Sequence, residues 1–171
     1  LIVLFLLLLA PASLAGAVPA WDRTNAEQLL GYVDGIAGEG LDPRDYDADA
    51  LRRALAGTDA SALNGRATAT FLHLAADLGS GHQRDRRSVA WHIVGQARDA
   101  AASDALLQQA LASHAVVPAL QSLLPQHRQY RLLKAALAAT PAHDKAGIER
   151  LRANLERWRW MPRRLGDRYL L

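Results

Sequence analysis

The sequence predicts an all-α fold, an irregular bundle of about seven short helices with the start of a β-strand at the C-terminus. Three observations predict it. Half of the 171 residues are hydrophobic but only 6% are aromatic, and alanine and leucine, both strong helix formers, dominate. Apolar residues recur at helical spacing along most of the chain. Glycine and proline fall between those stretches rather than within them, with few exceptions.

The first twenty residues, LIVLFLLLLAPASLAGAVPA, stand apart from this pattern. The opening apolar run is too short to span a membrane, which takes roughly 20 residues, and Pro11 interrupts it. The small-residue triplets Ala15-Gly16-Ala17 and Val18-Pro19-Ala20 fit the cleavage rule of a secretory signal. Residues 1–20 are therefore expected to be a signal peptide whose basic leading region is missing. Cleavage is expected after Ala20, with Ala17 as the alternative site, and retention as an N-terminal anchor as the alternative fate. Export and the absence of cysteine pairs suggest a bacterial periplasm.

The mature elements follow in order. Thr24-Asn25-Ala26-Glu27 has the form of a capping box, and Leu29, Leu30, Val33 and Ile36 continue the helix until Gly38 and Gly40 stop it. GLDPRDY turns at Pro43, and Asp47 is placed to cap a short helix carrying Leu51 and Leu55, which Gly57 ends. Asp59 or Ser61 opens the next helix. Its buried stripe is Leu63, Ala67, Thr70, Phe71, Leu74 and Leu78, and Gly79-Ser80-Gly81 terminates it. Residues 82–101 have little periodicity and read as an extended loop anchored by Trp91 and Ile93. Ser103 is expected to cap a helix with Leu106, Leu107, Ala110 and Leu111; Val117-Pro118 starts another, with Leu120, Leu123 and Leu124 inward. Tyr130, Leu133 and Leu137 lie on a further helix. The last runs from about Lys145 to Trp158 with Ile148, Leu151, Leu155 and Trp158 on one stripe. Met161-Pro162 breaks it, and DRYLL reads as a strand start.

Charge is unevenly placed. The chain is formally +3, yet Lys145 to Arg168 holds eight basic and three acidic residues, a local balance of 8 − 3 = +5. Such a stretch suits a solvated helix face, phosphates or an anionic surface.

The catalytic chemistries that the sequence excludes are informative. Cysteine is absent, which removes disulfides, thiolate metal sites and a cysteine nucleophile. No G-x-S-x-G elbow is present. Asp42, Asp45, Asp47 and Asp49 lack the spacing of a calcium loop. The six histidines are scattered, with none four apart; His73 and Asp77 form one i, i+4 pair, read as a surface contact. No metal, cofactor or catalytic residue is expected in this chain. Arginines beside Trp158 and Trp160 could stack on bases. Trp158, however, continues the helical stripe, and export argues against a nucleic-acid partner.

The tail carries a resemblance. Leu155-Glu156-Arg157-Trp158-Arg159-Trp160-Met161-Pro162, followed by Gly166-Asp167-Arg168-Tyr169, resembles the segment leading into the catalytic domain of large murein L,D-transpeptidases that carry a helical scaffold. Gly40 to Leu55, Phe71 to Gly81, Trp91 to Ile93 and Leu123 to Ala138 agree more loosely, in the same order. The resemblance implies a periplasmic enzyme that remodels peptidoglycan, in which a cysteine attacks the donor stem peptide and the acyl group passes to an acceptor amine. Two departures stand out. The chain has no cysteine, so the transfer would need a catalytic domain beyond Leu171. Thr140 to Gly147 is also too short for the small peptidoglycan-binding domain that the family often inserts there.

The expected organisation is a signal peptide (1–20), a helical scaffold (21–139), and a linker helix with the first strand of a catalytic domain (140–171). The expected partners are peptidoglycan and that intramolecular catalytic domain, with no stable transmembrane segment after signal cleavage. Trp158, Trp160, Arg157, Arg159, Arg163 and Arg164 are the candidate interaction or domain-junction residues. The alternatives are a stand-alone envelope interaction module using these anchors, and a membrane-surface binder using the basic helix.

Overall fold

A computed structural model describes residues 20–82 and 99–161. All regular structure among these residues is helical. Seven α-helices are described, α1 (Arg23–Asp34), α2 (Ala48–Ala56), α3 (Ala60–Ser80), α4 (Ala100–Ala112), α5 (Val116–Gln121), α6 (Arg128–Ala139) and α7 (Lys145–Trp160), with short turns at every link except the one between α3 and α4. Two of those turns are 3-10, at Ile36–Glu39 and Pro43–Tyr46. The strand expected at DRYLL and most of the loop expected at 82–101, with Trp91 and Ile93, lie outside the described residues.

Most helix starts are set by an aspartate whose carboxylate satisfies orphan amide groups in the first turn. Asp59 accepts from the Ser61 and Ala62 amides at 2.9 and 3.1 Å, so α3 starts from Asp59 and not Ser61. Asp144 accepts from Gly147 at 2.8 Å and starts α7. Three caps differ from the sequence expectation. α1 is capped by Asp22, which accepts from Asn25 at 2.7 Å. Thr24 is already inside the helix, and Glu27 pairs with Arg23 instead of closing a capping box. The earlier start follows from Trp21, whose amide donates to Asn64 and whose indole donates to Thr68, pinning the chain to α3 just before Asp22. α4 is capped by Asp99; Ser103 sits a turn further in and bonds back to the Asp99 carbonyl. Asp47 occupies the position before α2 but in a left-handed conformation, φ 48°. Its carboxylate makes no cap and pairs with Arg66 at 3.0 Å.

α3 is the central element, packing against α1, α2, α4, α5 and α7. Ala67, Phe71, Leu74 and Leu78 on its inner face are fully buried with Leu29, Val33, Ile36, Leu51 and Leu120. Burial of apolar area on this scale is the main stabilising term of the bundle. Asn64, unexpected within a helix, is used to hold Trp21. Gln28 of α1 bridges the α4–α5 link, donating to the His114 carbonyl and accepting from the Val116 amide.

α6 and α7 pack as neighbours, and α6 also covers the Ile36–Glu39 turn. The boundary expected at 139/140 falls between these two helices. α7 is nonetheless built into the same core. Leu155 is fully buried within it, and Gly40, at φ 78°, lets Leu155 approach so closely that an added Cβ would lie 3.0 Å from its Cδ1. α7 also runs two residues past the expected end, to Trp160.

Candidate functional site

The C-terminal ends of α3 and α7 meet at two buried polar clusters. The first is built around Asp77. The stripe that buries Leu74 and Leu78 passes through position 77 as well, so this carboxylate is fully buried. An isolated buried carboxylate is costly, and Asp77 is surrounded by donors. The Tyr46 hydroxyl, delivered by the Pro43–Tyr46 turn, donates to Oδ2 at 2.9 Å. His82 Nδ1 lies 2.7 Å from the same oxygen and His73 Nε2 lies 3.4 Å from it. On its other side the His82 ring presents Nε2 to Asp45 Oδ2 at 3.8 Å. The hydrogen bond to Asp77 raises the His82 pKa above that of a free imidazole. Burial, then the neighbouring Asp77 charge, pushes the Tyr46 hydroxyl up. The His73–Asp77 pair, expected to be a surface contact, is half of a core cluster: His73 stays exposed while its partner does not.

Removing the Tyr46 hydroxyl should therefore be costly despite the small change in shape. Tyr46→Phe takes one charge-assisted hydrogen bond from a buried carboxylate, a loss of about 1.5–3 kcal/mol. Chemical denaturation checks it, as a shift in midpoint at unchanged slope.

The second cluster is built around Arg159. Gly147 and Leu155 are buried on one face of α7, with Leu151 half-buried between them, and Arg159 continues that face, so the guanidinium enters the bundle. There it donates to the Glu39 backbone carbonyl, to the Tyr130 hydroxyl at 3.1 Å and to Glu156 Oε2 at 3.1 Å. The Tyr130 hydroxyl donates onward to Glu39 Oε2 at 3.5 Å, and Lys134 donates to Glu39 Oε1. Burial pushes the Tyr130 hydroxyl up to about 12, against the lowering effect of the Arg159 charge. Glu156 connects the two clusters. It holds both Arg159 and the Trp160 indole, which donates to it at 2.8 Å, and its charge is felt at His82.

Tyr32 borders this network, its hydroxyl buried with no hydrogen-bond partner among the described residues. Its pKa is raised, first by burial and then by Glu39. Tyr32→Phe removes an unsatisfied polar atom, so stability should stay level or rise by about 1 kcal/mol, readable in the same denaturation assay.

The six candidate interaction residues divide. Arg157 is exposed. Trp158 is half-buried and stacks on His127, ring centres 4.7 Å apart at 17°. Arg159 and Trp160 face inward, Arg159 in register with Leu155 and Trp160 closing over Gly81. Arg163 and Arg164 lie outside the described residues. The sequence reasoning missed Asp77, Tyr46, Glu39 and Tyr130. A signal was present for Asp77 and Arg159, since each is an ionisable residue in a core register.

No helix among the described residues is long and apolar enough to cross a membrane. Residues 14–137 match the family described as Scaffold domain. The match spans well over half of the chain, and the protein belongs to that family. No curated protein and no solved structure is significantly similar to it.

Proposed function

We propose that this chain is the scaffold portion of an exported, periplasmic L,D-transpeptidase that remodels peptidoglycan. In this reading it holds a cysteine-bearing catalytic domain at a fixed angle to the wall. Its own residues supply no cysteine nucleophile. The observation that carries the proposal is the anchoring of α7. The helix bearing the Leu155–Pro162 motif is held at its last turn by Arg159, Glu156 and Trp160. The last turn of α7 is thus fixed to the bundle, which is what a rigid junction between scaffold and catalytic domain requires. Membership of the Scaffold domain family supports it.

The stand-alone docking module is the weaker reading, because Trp160 and Arg159 are used inside the chain.

The test begins with the gene downstream of codon 171. The frame should remain open and encode a β-rich domain with a histidine–cysteine motif. The complete protein should join stem peptides into cross-linked dimers, detected by mass spectrometry and abolished by thiol alkylation. A stop codon within a few residues, or a complete protein without that activity, would overturn the proposal.

A further inference from the structure

We propose that His73, Asp77 and His82 form a binding site for a divalent transition metal, Zn²⁺ by preference. This inference is independent of the transpeptidase reading.

The three residues offer two imidazole nitrogens and one carboxylate oxygen, all within 4.8 Å of one another. Three nitrogen and oxygen ligands of this type, with a further position left to water, are a donor set that borderline divalent metals accept. The spacing is close to what coordination needs. With metal–ligand bonds of about 2 Å, ligand atoms of a tetrahedral centre lie about 3.3 Å apart. His73 Nε2 stands 3.4 Å from Asp77 Oδ2. His82 Nδ1 stands 2.7 Å away and would back off by about half an ångström on exchanging its hydrogen bond for a metal bond.

The surroundings are those of a ligand set rather than a chance meeting of surface groups. Ligating histidines and carboxylates are oriented by partners of their own. His82 directs Nδ1 at the cluster, where it hydrogen-bonds Asp77 at 2.7 Å, and its Nε2 faces Asp45 at 3.8 Å; a metal would take the place of the Nδ1 proton, with Asp45 beside the outer nitrogen. The Tyr46 hydroxyl donates to Asp77 Oδ2 and orients the buried carboxylate. The Tyr46 ring also packs on His73, centroids 5.1 Å apart, limiting the rotamers that imidazole can adopt. His73 and His82 are 41% and 44% exposed, whereas Asp77 is fully buried. A metal can thus enter from solvent and meet its anionic ligand at the floor of the site.

The three ligands also explain how a metal would act here. Asp77 and His73 sit one turn apart on α3, and His82 follows the glycine that ends it. A metal bridging them ties the end of that helix to the residue leaving it.

The test uses the full chain stripped of metal with a chelator. Calorimetric titration with Zn²⁺ should give one site per chain, and Co²⁺ should develop visible d–d absorption of matching stoichiometry. His73→Ala and His82→Ala, both at exposed side chains, should each abolish the one-to-one binding while leaving the circular dichroism spectrum unchanged. Tyr46→Phe should weaken binding roughly 10–100-fold. His143→Ala, at an exposed histidine on the α6–α7 link, should leave it unaltered. Absence of stoichiometric binding, binding that persists in the His73→Ala/His82→Ala double variant, or an equal loss on His143→Ala would each overturn the proposal.

Discussion

Arg159→Ala is expected to destabilise the protein by about 3–5 kcal/mol, the cost of removing one partner from a buried charge network. The loss has two sources. Glu39 is buried and keeps only Lys134 and the Tyr130 hydroxyl, while its carbonyl loses a charged donor. Glu156 keeps the Trp160 indole but loses its guanidinium. The effect belongs to the network and not to the bulk of the side chain, which a second substitution distinguishes. Arg159→Met keeps much of the packing volume and should be nearly as damaging, whereas Arg159→Met with Glu156→Gln, which removes the carboxylate left without its guanidinium, should recover part of the loss. Urea unfolding of the four proteins measures it. A single-variant cost under about 1 kcal/mol, the range of exposed pairs, would refute the network account.

Gly81→Ala should cost about 2–6 kcal/mol. Gly81 adopts φ 87° and ψ 152°, a region open essentially to glycine alone and worth about 1–3 kcal/mol of strain for any other residue. Space is also lacking. A Cβ would lie 2.7 Å from Glu156 Oε1 and closer still to the Trp160 ring, and such overpacking adds about 1–3 kcal/mol. Because the obstruction falls on Glu156 and Trp160, the substitution should also release Trp160. Thermal unfolding would report the first effect and a red-shifted tryptophan fluorescence the second. Gly65→Ala is the control: it lies inside α3, an added Cβ there meets nothing within 4 Å among the described residues, and stability should be held or slightly improved.

The helices were legible because their evidence is local. The stripe Ala67, Phe71, Leu74, Leu78 and the stop at Gly81 lie within one stretch of chain, and so do the aspartate that opens α3 and the stripe of α7. Capping was less legible because several residue types compete for one task. Thr24 with Glu27 formed a plausible box, but Trp21 decided the start of α1 through contacts with Asn64 and Thr68. The clusters were least legible. Arg159 stood among the candidate interaction or junction residues of a basic stretch, and its use inside the bundle was hidden because acceptors come from the Ile36–Glu39 turn and from α6. Asp77 counted as a surface partner of His73, since Tyr46 reaches it only through the Pro43–Tyr46 turn. Periodicity identifies which face of a helix is covered. It does not identify what covers it, and an ionisable residue on that face is where the distinction matters most.

The bond between the Arg159 guanidinium and the Glu39 carbonyl spans 120 residues. A chain made from its N-terminus presents Glu39 long before it presents Arg159. Until α7 arrives, Glu39 lacks its guanidinium partner, and the core lacks Leu155, which fits against Gly40. The last helix is therefore the closing step of the bundle. A contact of such long sequence separation forms only after nearly all of the described helices exist, so the bundle closes from its two ends rather than helix by helix.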